Sequence, residues 1–220
     1  MNYQELEKYL FEISDEKFAS FSKSLSNSEY ISIGVKNPTL KSIIKEHKND
    51  ENLRLEDFVL GKYLEVDFIY FGLAISRLKT SEEQLDFLYK NVKLIKSWAV
   101  TDTIPSFLKK FSFEQFEDFF FKSYKSKFLY QRRMAYVLGL KYYKDKRILN
   151  LLDKFSLNEE YMVMMAEAWL LSFSAIYFEN EIFNYLKSID DIKLKRKTIS
   201  KIVESFRFIN KSKEKFKSLR

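Results

Sequence analysis

A pair of helical segments recurs along this chain at a nearly constant period, and no other feature restricts its fold so strongly. Segments with apolar residues three and four apart begin near Glu65, Trp98, Lys127, Glu160 and Lys193, at separations of 33, 29, 33 and 33 residues. A single helix pair of this length cannot bury its apolar face alone, so successive pairs must stack. The expected fold is all-α, an α–α superhelix (solenoid) forming one domain over residues 1–220. The counts agree: 4 Gly and 2 Pro in 220 residues supply few of the tight turns that a many-stranded sheet needs.

Before the repeats, Leu6, Tyr9, Leu10 and Ile13 form one apolar stripe, and Phe18, Phe21 and Leu25 form another beyond a break at Ser14-Asp15. A turn-rich passage through Ser26-Asn27-Ser28-Glu29 leads to Asn37 and Pro38, which suit the N-cap and first position of a helix burying Leu40, Ile43 and Ile44. The very apolar run from Phe68 to Ile75 is followed by Ser81-Glu82-Glu83-Gln84, a capping-box pattern that opens a helix through Leu85, Leu88 and Val92. Similar starts for second helices stand at Ser112-Phe113-Glu114-Gln115 and at Asn180-Glu181, and Ser156-Leu157-Asn158-Glu159 opens a later first helix.

Several chemistries are excluded by what the chain lacks. Without cysteine there are no disulfides, thiolate metal sites or thiol nucleophiles, and a single histidine, His47, excludes a multi-histidine metal site. No metal and no cofactor is expected, and His47 reads as a solvated histidine at a helix end. The acidic start Asn2-Tyr3-Gln4-Glu5 is unlike a signal peptide, and no apolar run reaches membrane-spanning length, so a cytoplasmic monomer with no membrane partner is expected. The net charge of +7 is concentrated at one end. From Lys193 to Arg220 eleven bases face two acids, a balance of +9, which leaves −2 for the rest.

One first helix carries an unusual pair. In Ser97-Trp98-Ala99-Val100-Thr101-Asp102, an indole and a carboxylate stand four residues apart and therefore on one helix face. Both groups attract positive charge, so together they suit a cation; the structural alternative is a core indole beside a helix-end acid. Arg132 and Arg133 fall on the next first helix, Trp169 on the following one, and Lys195, Arg196 and Lys197 on the last. Trp169 lies in an apolar run that also suits core packing, and Arg133 could pair with an acid on a neighbouring helix. Phe119, Phe120 and Phe121 read as inter-helix core, and the last ten residues read as solvated.

Four segments in order, Ile33-Gly34-Val35-Lys36-Asn37-Pro38-Thr39-Leu40-Lys41, Ser97 to Asp102, Tyr130-Gln131-Arg132-Arg133-Met134-Ala135 and Met165-Ala166-Glu167-Ala168-Trp169-Leu170-Leu171, resemble the AlkD-like DNA alkylation repair proteins. The ending from Lys201 to Arg207 is also similar to that family's. The resemblance implies HEAT-like repeats and, in active members, a DNA glycosylase that hydrolyses the N-glycosidic bond of cationic 3- and 7-alkylpurines in duplex DNA. It implies that Trp98 and Trp169 flank the deoxyribose, that Asp102 faces the anomeric carbon, and that Arg133, or its neighbour Arg132, holds a phosphate. Lys195, Arg196 and Lys197 match a basic segment expected to contact the backbone. A carboxylate would then stabilise an oxocarbenium-like transition state without a general acid, because the leaving base already carries positive charge.

This chain departs from the family pattern in three places. Met165 stands where a basic residue precedes the second tryptophan, Leu171-Ser172-Phe173 replaces an Arg-Glu pair after it, and the segment from Lys23 to Tyr30 is short and turn-like where a minor-groove helix is expected. These departures mark a divergent branch, and fewer cations release fewer counterions from DNA. Three readings stand side by side at this point: an alkylpurine-DNA glycosylase of full or reduced activity, a non-catalytic paralogue binding damaged or branched DNA, and a protein-binding α-solenoid scaffold.

Overall fold

A computed structural model describes residues 1–26, 30–155 and 160–220. The stripe position Leu25, the turn through Asn27-Ser28-Glu29 and the helix start Ser156-Leu157-Asn158-Glu159 fall outside the described residues and side chains. The chain is all-helical and folds as stacked helix pairs of α–α superhelical type, in two compact units, Met1–Ser112 and Phe113–Arg220. Among the described residues extended pairing is limited to one isolated bridge between Ile31 and Tyr63. None of the described helices is long and apolar enough to cross a membrane.

Unit 1 contains α1 (Tyr3–Glu12), α2 (Glu16–Ser26), α3 (Asn37–His47), α4 (Leu64–Arg77), α5 (Ser81–Asn91) and α6 (Trp98–Thr103). Its centre is α4, apolar on nearly every side and packed against α3 and α6. Leu40, Ile43 and Ile44 of α3 are buried as expected, and so are Leu6 and Leu10 of α1, whereas Tyr9 turns outward and Tyr3 takes the buried place.

Two carboxylates on α4 were not foreseen as interior groups. Glu65 is buried and accepts hydrogen bonds from Ser32 Oγ, Ile33 N and Gly34 N, each at 2.9 Å, and from Val35 N at 3.4 Å. It thus replaces water for the whole loop that leads into α3. Gly34 in that loop has φ +99°, and a Cβ there would stand 2.3 Å from the Asp15 carbonyl oxygen, so only glycine fits.

The caps differ by a residue from the sequence reading. Asn37 is already the first residue of α3, behind Lys36, with Pro38 inside the first turn. The capping box of α5 is Thr80 with Glu83, not Ser81 with Gln84, because the Gln84 side chain is buried and spans Ile75 O (2.8 Å) and Lys109 N (2.7 Å). His47 is not solvated: it ends α3 half-buried, with Nδ1 3.1 Å from the Asp50 carboxylate.

Unit 2 contains α7 (Phe113–Ser123), α8 (Leu129–Gly139), α9 (Tyr161–Ser174), α10 (Glu179–Ser188), α11 (Ile192–Glu204) and α12 (Asn210–Lys217). The central helix is α9, packed between α8 and α11. Gly139 allows the close approach of α8, since a Cβ there would meet Leu170 Cδ2 at 2.6 Å. Phe119 and Phe120 are core residues, Phe120 stacking on Tyr124 and meeting Tyr136 edge-on, while Phe121 is exposed. After α8 the expected second helix is a 3₁₀ segment, Lys146–Lys154, capped by Asp145. At the following second helix the first residue is Glu179, ahead of the anticipated Asn180-Glu181 start. The last ten residues are not simply solvated, because Phe216 of α12 is fully buried and packs edge-on against Phe183 and Phe208.

Candidate active site

The local sequence makes α6 a short, one-sided helix. Ser97 caps it, its Oγ accepting from Ala99 N at 3.2 Å, and it gives way after Thr103 to a 3₁₀ turn, Ile104–Ser106, in which Pro105 has no N–H to continue the α-helical ladder. Ser97, Val100, Thr101 and Ile104 are buried, which leaves Trp98, Ala99, Asp102 and Thr103 on the outward side, all half-buried. The indole and the carboxylate therefore sit one turn apart on the side that unit 1 leaves open.

The start of α6 is tied down from two other elements. The Tyr30 hydroxyl accepts from Lys96 N at 3.3 Å and donates to the fully buried carboxylate of Asp67 on α4, which also accepts from Gly61 N at 2.9 Å. Burial pushes the Asp67 carboxyl above its ordinary value, against the lowering effects of Tyr30, Gly61 and the Lys96 charge. A raised carboxyl pKa means that folding favours the protonated form. Stability supplied by that form is present below the unfolded value of 3.8 and is lost as pH rises toward the folded one. An Asp67→Asn protein should accordingly gain stability relative to the parent as pH rises from 4, by up to about 1.4 kcal/mol per pH unit. Urea denaturation of both proteins between pH 4 and 7 measures this; a constant difference would contradict it.

In unit 2 the open side of α9 is a stripe at four-residue spacing. Tyr161 is 53% exposed, and Met165, Trp169 and Phe173 are half-buried, while the rest of the helix beyond Met162 is interior. Trp169 meets Phe173 edge-on at 6.1 Å. Two cations edge the stripe: Lys197 Nζ lies 5.6 Å above the Tyr161 ring, and the Arg207 guanidinium lies 4.5 Å above Phe173. Tyr143 and Tyr177 extend the aromatic surface, with Lys144 over both rings. Trp169 is thus neither a core indole nor an isolated one.

The five cations read from the sequence are placed unequally. Arg196 and Lys197 are exposed and Lys195 is half-buried on α11. Arg133 is only 5% exposed and donates from Nη1 to the Met162 carbonyl of α9. Arg132 pairs with Glu160 and donates to Ser126 O at 2.7 Å. The acid partner was foreseen for Arg133, whereas the pairing seen with Glu160 is made by Arg132. Sequence reading missed Phe173 and Arg207 as neighbours of Trp169; the i+4 spacing from Trp169 to Phe173 was a visible signal, but nothing local shows that a residue beyond α11 folds back onto it. Among the described residues no cluster of His, Asp and Glu side chains is placed to hold a metal ion.

Comparison with known proteins bears on both units. A family profile described as DNA alkylation repair enzyme matches residues 4–205. A solved structure, described as a predicted DNA alkylation repair enzyme from Enterococcus faecalis, is similar with a TM-score of 0.68 at 17% identity, covering 87% of this chain and 98% of that one. At that identity the likeness is one of fold. No curated protein sequence matches.

Proposed function

We propose, from the premise that this chain belongs to the DNA alkylation repair enzyme family, that it is a DNA glycosylase releasing cationic 3- and 7-alkylpurines from duplex DNA. The observation that carries this reading is the outward pairing of Trp98 and Asp102 on a helix whose other side is anchored in the core.

The chemistry suits so sparse a site. The C1′–N9 bond of a 7-alkylguanine breaks with its electron pair passing to the purine, which leaves neutral, and the sugar becomes an oxocarbenium ion. The Asp102 carboxylate stabilises that charge and orients the water that adds to C1′, which then loses a proton to solvent. The Trp98 π-face adds cation–π attraction as the sugar becomes positive. Trp169 and the aromatic stripe beside it offer aromatic and cationic contacts to the strand, with Lys195, Arg196 and Lys197 as the phosphate contacts, while Arg133 would have to leave the Met162 carbonyl to join them. Incubating the protein in excess with duplex DNA containing 7-methylguanine should release free base above spontaneous depurination. An unchanged background rate would refute the assignment.

A second reading, a DNA-binding paralogue without catalysis, is favoured by the engagement of Arg132 and Arg133 inside the protein. Both readings require DNA binding through α11. A Lys195→Glu/Arg196→Glu protein should bind duplex DNA at least about tenfold more weakly near 0.1 M salt, with a salt dependence shallower by roughly two phosphates. Unchanged affinity and slope would exclude α11 from the interface. Binding without base release would select the paralogue.

A further inference from the structure

We propose that a lysine-lined cavity in unit 1 is a binding site for phosphate esters. The cavity has a volume of about 420 Å³, and neither Trp98 nor Asp102 lines it. Three of its cations, Lys41, Lys45 and Lys48, follow helical spacing along one side of α3 and its C-cap, and the fourth, Lys109, comes from the segment beyond α6. No carboxylate is among the lining residues.

Ammonium groups four residues apart on a helix repel one another, so this arrangement costs stability unless an anion occupies it. Glu83, whose carboxylate feels the Lys109 charge, is engaged elsewhere: it caps α5, accepting from Lys79 N at 2.7 Å and Thr80 N at 3.0 Å. Positive charge in a recess with low-dielectric walls focuses the field on an incoming anion.

The recess is held in shape without a ligand. The Arg77 guanidinium donates to the carbonyls of Lys48 (2.8 Å), Asp50 (3.0 Å) and His47 (3.3 Å), fastening the end of α3 to the end of α4. The buried Gln84 amide fastens Lys109 N to Ile75 O, and Lys109 Nζ donates to the Lys79 carbonyl. Preorganised walls spare a ligand the cost of ordering them. Ile44 and Phe107 line the same space, Phe107 lying edge-on to Phe68, while Ser76 and Ser106 bring hydroxyls. Lysines for a phosphoryl group beside an apolar and aromatic wall fit a nucleotide-sized phosphate ester.

Such a group arrives either as part of a DNA strand, which rests on the reading above, or as a free nucleotide or polyphosphate. Titrating the full chain with inorganic tripolyphosphate by calorimetry at low salt tests the shared chemistry without any need for base release. A Lys45→Gln/Lys48→Gln protein should bind it at least about tenfold more weakly, whereas the control Lys211→Gln/Lys213→Gln, of equal charge change, should not. If tripolyphosphate also displaces a DNA duplex, the strand is the natural source; if duplex binding is indifferent to it, the source is free phosphate esters. Absence of tripolyphosphate binding, or equal weakening in the control, overturns the proposal.

Discussion

An Asp102→Asn protein is expected to release 7-methylguanine about a thousandfold more slowly than the parent, a loss of about 4 kcal/mol of transition-state stabilisation. The amide keeps the size of the carboxylate but not its charge, and charge is what an oxocarbenium ion requires. Ground-state DNA binding depends on cations elsewhere and should stay within about twofold, so the loss belongs in the single-turnover rate rather than the affinity. The fold should not change, because Asp102 lies on the outward side of α6 while Val100, Thr101 and Ile104 hold the helix in place. Single-turnover base release by enzyme in excess measures the effect; equal rates in the two proteins would remove Asp102 from the chemistry.

The second large effect concerns folding. Glu65→Ala should destabilise the protein by about 3–5 kcal/mol in urea denaturation, a large share of the 5–15 kcal/mol typical of a folded domain. Glu65 accepts from one hydroxyl and three backbone amides of the loop before α3, and without it those donors face a dry interior. A loss below about 1 kcal/mol would mean that water replaces the carboxylate, and the loop would then not depend on α4 for its shape. Tyr30 lies at the start of that loop, so a disturbed loop should also loosen its bond to Lys96 N ahead of Ser97 and Trp98.

The local reading of caps was off by a residue at both helices: at α3 Lys36, which makes no side-chain cap bond, precedes Asn37, and at α5, where the box is Thr80 with Glu83, the physical reason is visible. A cap residue is chosen by which side chains the interior claims, and Gln84 was claimed by Ile75 O and Lys109 N before it could close a capping box. The same reason explains why Glu65 and Asp67 were not seen as interior acids: their partners come from residues about thirty positions away, except Gly61.

What the amino-acid sequence determined by itself is the helical class, the order and spacing of the helix pairs, and the membership of Trp98 and Asp102 in one face of one turn. These follow from periodicity and from scarce Gly and Pro, which act over a few residues at a time. Tertiary structure alone decided which charges are available to a ligand. Arg132 and Arg133 are adjacent to each other and chemically alike in the chain, yet one meets Glu160 and the other the Met162 carbonyl. Arg207, marked in the sequence only as part of an ending similar to the family's, lies over the ring beside Trp169. A cation's availability depends on what long-range packing sets beside it, and packing between helices far apart in sequence leaves no local periodicity to read.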